Sequence, residues 1–140
     1  MKILIAVDGS EHTKKMLAYL AAHDEWRVSP QSYTVLHTVL AVPPRAASYI
    51  DATSIKDYYE AEAQKVFKSI KTFLSKAGIE ADYVYKVGHP ANEIANLAAK
   101  GKYDLVMLGS SGHGALGNLV MGSVATKVLA LCTVPVLLVR

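Results

Sequence analysis

Cysteine is almost missing from this chain. Cys132 stands alone in 140 residues, which excludes an internal disulfide and any multi-cysteine metal site and fits a reducing compartment. No apolar run is long enough to span a bilayer, and Met1-Lys2 leads straight into a strand-like run. Neither a membrane segment nor a signal peptide is therefore expected, and the cytoplasm is the default location. Charge is sparse at 19%, the net is +3, and Lys14, Lys15, Lys65, Lys68 and Lys71 are scattered along helical stretches instead of forming a stripe; no nucleic-acid partner is expected. No glycine is followed by Lys-Ser or Lys-Thr, so the P-loop is excluded. Asp and Glu stop at Asp104, so nothing acidic in the last quarter of the chain would repel a phosphate. What is present is 51% hydrophobic residues, enough for one domain over residues 1–140 with a real core.

The chain is organised around Tyr103 to Val124. Leu105-Val106-Met107-Leu108 reads as a strand buried on both faces, then breaks into Gly109-Ser110-Ser111-Gly112-His113-Gly114. There the backbone amides are unshielded and positive φ is cheap. Gly122-Ser123 then opens a helix. Strand, glycine loop and helix N-terminus together can hold an anion, because free N–H groups and the helix dipole both favour negative charge. The bland alternative is a turn that only links strand to helix. Gly112-His113-Gly114-Ala115-Leu116-Gly117 also fits GxGxxG, but it follows a late strand and no acid comes after it, so the dinucleotide fingerprint is rejected.

In chain order, Lys2 to Val7 is a continuous apolar run, hence a central parallel strand, and it ends in Asp8-Gly9-Ser10. Ser10 is a good N-cap for a helix whose Thr13, Leu17, Leu20 and Ala21 share a face. Asp8 lies where ligands bind in open α/β sheets, although a loop acid can instead stabilise a helix N-terminus. Ser10 occupies the place of a phosphatase's second Asp, and the paired acids of a receiver domain are missing, which argues against phospho-aspartate chemistry. Tyr33 to Leu40 reads as a second strand, with His37 packed or capping and not a ligand. Ala41 to Thr53 reads as a mobile loop or lid. Ser54 to Asp57 fits a capping box that opens a helix through Ala77, with Val66, Ile70, Phe73 and Leu74 inward and Gly78 ending it. Tyr58 and Tyr59 are expected on its surface. Ile79 to Val87 alternates like an edge strand, and Pro90 starts a helix with Ile94, Leu97 and Ala98 inward, closed by Gly101. A last helix with Val124, Val128 and Leu131 inward leads to a final strand over Val134 to Val139. Five strands alternating with four helices give a doubly wound parallel sheet.

The spacing Gly109, two residues, Gly112, nine residues, Gly122-Ser123 resembles the nucleotide-binding signature of the universal stress protein family, in its ATP-binding branch. The opening Val7-Asp8-Gly9-Ser10, the Gly88-His89-Pro90 turn and the terminal Pro135 to Arg140 resemble the family more loosely. The resemblance implies strand order 3-2-1-4-5 with helices on both faces, the adenine-nucleotide alpha-hydrolase-like arrangement. The crevice then lies between the ends of strands one and four. It implies nucleotide binding by Ala6, Asp8, Thr38, Leu108, Gly109, Gly112, Gly122, Ser123 and Val124. Asp8 and Thr38 would hold the adenosine end, and the glycines, Ser123 and Val124 the phosphates of ATP, with Mg²⁺ or Mn²⁺ held by those phosphates. Thr38 replaces a valine usual at a main-chain contact, and His113 stands where the family often has arginine. Lys127 lies one helical turn beyond Ser123.

Three functions stay open on this reading. The first is an ATP-binding regulatory or stress protein, and the second a slow or partner-dependent ATPase or phosphotransferase. Near the glycine loop only Ser110, Ser111, Ser123 and His113 are available, without a carboxylate, which disfavours efficient phosphoryl transfer and leaves no catalytic residue to name. The third is a ligand-free interaction module on the same fold, for which exposed amides have no use. A homodimer through Val134 to Val139 is also expected, because that apolar run lies at a sheet edge and soluble proteins cover such edges. A further protein partner is left unspecified.

Overall fold

The computed structural model describes residues 1–23, 25, 30–111 and 121–140. Trp26, Gly112, His113 and the GxGxxG pattern lie outside the described residues.

The strands are β1 (Lys2–Val7), β2 (Ser32–Val39), β3 (Ala81–Val87), β4 (Leu105–Gly109) and β5 (Val136–Val139), in the order β3-β2-β1-β4-β5. Every pairing is parallel. The helices are α1 (Glu11–Ala22), α2 (Pro44–Ala47), α3 (Ala52–Lys76), α4 (Pro90–Lys100) and α5 (Ser123–Leu131). Strand alternation divides the core into two layers. Ile3, Ile5 and Val7 point to one face, with Met16, Leu17 and Leu20 of α1 and Phe67, Ile70 and Leu74 of α3. Leu4 and Ala6 point to the other, with Ile94 and Ala98 of α4 and Ala125 and Val128 of α5. The central strand is buried on both sides, which is why it reads as an unbroken apolar run. β3, at the edge, is only half-buried.

The sheet and its order are as the sequence led us to expect; several helix details differ. α3 begins at Ala52, with Asp51 as N-cap: its carboxylate accepts from the Ser54 amide at 2.9 Å and the Ser54 hydroxyl at 2.6 Å. Ser54 is thus a donor to the cap, not the cap itself. The buried stripe of α3 is Ala63, Phe67, Ile70 and Leu74, while Phe73 is 38% exposed. Small Ala63 lets the helix approach the sheet, and Phe67 meets the Tyr83 ring edge-on at 5.4 Å. In α5 the stripe runs through Ala125, Val128 and half-buried Cys132, leaving Leu131 exposed. The expected loop from Ala41 to Thr53 contains α2, and the Val42 amide donates to the Tyr59 hydroxyl at 2.8 Å. β5 starts at Val136: Pro135 has no N–H to give to the ladder, although its carbonyl accepts from the Val106 amide at 2.9 Å.

Candidate functional site

A parallel sheet brings the carboxyl ends of its strands to one edge, and the chain leaves β1 and β4 toward opposite faces, so a crevice opens where they part. Ala6 of β1 pairs with Leu108 of β4 and with Leu36 of β2, so Thr38, two residues on, shares their face. Asp8 and Gly109 stand at the two strand ends beside this crevice.

Asp8 is held by the turn that starts α1. Gly9 supplies the left-handed bend at φ +78°. The Asp8 carboxylate oxygen Oδ1 accepts from the Ser10 amide at 2.9 Å and from the Thr13 hydroxyl at 2.8 Å. Thr13 Oγ1 in turn accepts from the Asp8 amide at 3.1 Å, and Ser10 Oγ accepts from the Thr13 amide at 3.4 Å. The helix-stabilising use of Asp8 is therefore real, and it fixes the carboxylate at the crevice.

On the β4 side, Gly109 lies against α1 so closely that a Cβ there would stand 2.9 Å from the His12 Cβ and 3.1 Å from its carbonyl oxygen. No side chain fits. The Ser110 amide donates to the Val139 carbonyl at 2.9 Å, and the Ser110 carbonyl accepts from the Gly122 amide at 2.8 Å. These two bonds tie the exit of β4 to the end of β5 and to the start of α5. The Gly122 amide is thereby committed, which removes it from the donors expected for a phosphate. Gly122 is the N-cap and has no side chain to cap the helix, and no acid lies in the first turn. The ladder begins with the Thr126 amide on the Gly122 carbonyl at 3.0 Å. The first-turn amides of Ser123, Val124 and Ala125 are left as the donors a helix offers to an anion.

His37 donates Nδ1–H to the Val7 carbonyl at 2.9 Å and turns its ring toward Phe67, a packed role as expected. Among the described residues no three His, Cys, Asp or Glu side chains gather as a metal site, and no helix is long and apolar enough to cross a membrane. At the opposite end of β3, a groove lined by Lys71, Glu80 and Tyr83 has Lys71 Nζ 4.9 Å from the Tyr83 ring centre, and burial raises the Tyr83 phenol above its ordinary pKa. Sequence reasoning did not single out His12 at this site. Its only sequence signal was its place two residues after the Ser10 cap.

Comparison with known proteins agrees with this architecture. The model of the universal stress protein family matches residues 1–140. The Bacillus subtilis universal stress protein YxiE is 30% identical over 147 residues, covering 99% of this chain and 98% of its own. The solved structure of MJ0577, a Methanocaldococcus jannaschii universal stress protein, superposes with TM-score 0.80 at 26% identity, covering 99% of this chain and 94% of its own. An Archaeoglobus fulgidus universal stress protein solved in complex with dAMP superposes with TM-score 0.71 at 22% identity, covering 100% of this chain and 98% of its own.

Proposed function

The chain belongs to the universal stress protein family, and from that premise we propose that it is an ATP-binding regulatory protein of the cytoplasm, holding the nucleotide in the crevice between β1 and β4. The observation that carries this reading is the bond from the Gly122 amide to the Ser110 carbonyl, which draws the uncapped start of α5 to the end of β4. Asp8 and the backbone of Thr38 take the adenosine end. Gly109 and Gly112, with the amides of Ser123 and Val124, take the phosphates, and Ala6 and Leu108 form the apolar floor. Mg²⁺ or Mn²⁺ is carried on the phosphate oxygens. A family member of the same fold holds dAMP, which supports an adenine nucleotide as the ligand class.

An efficient ATPase is disfavoured by the chemistry of the first turn of α5, which has no acid, and by Asp8 Oδ1, which is engaged by Ser10 and Thr13. Turnover is expected to fall below the about 1–10³ per second typical of enzymes. The chain is further proposed to pair as a homodimer through Val134 to Val139. The test of the ligand is mass spectrometry of whatever nucleotide denatured, freshly purified protein releases. ATP is expected; release of a non-adenine compound in stoichiometric amount would overturn the reading.

A further inference from the structure

We propose that His12 is an additional ligand-binding residue of the crevice, donating Nε2–H to a phosphate oxygen of the bound nucleotide; this rests on the nucleotide reading above. The first observation is position. The backbone and Cβ of His12 pack directly on Gly109, the first residue of the glycine stretch. The second is the state of the ring. His12 Nδ1 is buried and has no hydrogen-bond partner among the described residues. A hydrogen on that nitrogen would be buried without an acceptor, whereas a bare lone pair there forfeits less. The proposed tautomer therefore places the hydrogen on Nε2, the corner of the imidazole farthest from the helix backbone. His12 is partly buried and not enclosed, which leaves part of the residue open to a ligand. The first turn of α5 carries no basic side chain that could do the same.

The experiment titrates AMP and adenosine into the unmodified chain, His12→Phe and His12→Gln, and follows the His12 ring nitrogens of the unmodified chain by ¹⁵N NMR. His12→Phe keeps a planar ring without a donor and should weaken AMP about tenfold while leaving adenosine unchanged. The Gln carboxamide nitrogen can reach the Nε2 position and should restore most of the loss. The spectrum should show the hydrogen on Nε2 before ligand is added, and a shift of that nitrogen with AMP but not with adenosine. Equal weakening of AMP and adenosine, no recovery with Gln, or a hydrogen resident on Nδ1 would each overturn the assignment. If His12→Phe does not fold, the spectrum of the unmodified chain decides alone. An unmodified chain that binds neither compound defeats the nucleotide reading itself and the role of His12 with it, a pattern distinct from the other failures.

Discussion

Asp8 and Thr13 are joined twice: the Thr13 hydroxyl donates to Asp8 Oδ1 at 2.8 Å, and Thr13 Oγ1 accepts from the Asp8 amide at 3.1 Å. Thr13 is 4% exposed, so water cannot replace it. Thr13→Val keeps the shape and loses both bonds. Denaturant unfolding should show a loss of about 1–3 kcal/mol. Adenosine affinity should fall as well, because the carboxylate loses one of the groups that orient it.

Asp8→Asn separates the two uses of this side chain. The amide oxygen can still accept from Ser10 and Thr13, so the turn should survive and the circular dichroism stay native. Removal of the negative charge should weaken adenosine and AMP alike in calorimetry. If triphosphate binding alone suffered, Asp8 would not be an adenosine contact.

The face of α3 is tested by comparing two phenylalanines on the same helix. Phe67 is 1% exposed and packs between His37 and Tyr83, whereas Phe73 is 38% exposed. Phe67→Ala should cost about 3–5 kcal/mol in urea unfolding. Phe73→Ala should cost about 0.5 kcal/mol or less. The reverse order would mean that the helix is rotated from the position described.

The difference between these two residues shows where the sequence was readable. The strands were legible because runs such as Ile3 to Val7 and Val106 to Leu108 can only be buried on both faces, and a doubly wound order follows once helices alternate with them. In α3, Ile70 and Leu74 belong to either candidate stripe. What decides between them is Ala63, whose smallness matters only once the sheet it approaches is known. Asp51 and Ser54 are both good caps in isolation, and the actual start of the helix selected the earlier one. At the crevice, Asp8 and the Gly122-Ser123 helix start were visible from spacing. The commitment of the Gly122 amide to Ser110 was not, since that bond spans two segments whose approach depends on the fold. His12 escaped notice because its closeness to Gly109 is a tertiary contact.

The two sheet edges differ in how they meet solvent. β3 carries Asp82 and Lys86, while β5 reads Val136-Leu137-Leu138-Val139, without charge until Arg140. Charge blunts the first edge, and a second copy of the chain is the proposed cover for the second. Sedimentation equilibrium should therefore give a dimer. A monomer that persists at high micromolar concentration would rule the pairing out.

The nucleotide crevice is tested most directly by titrating AMP and ATP into the ¹⁵N-labelled chain and following each backbone amide. Saturable binding of one nucleotide per chain is expected, with the largest shifts at Asp8, Thr38, Gly109, Ser123 and Val124. Absence of saturable binding, or shifts centred on the Lys71–Tyr83 groove at the far end of β3, would contradict a nucleotide site between β1 and β4.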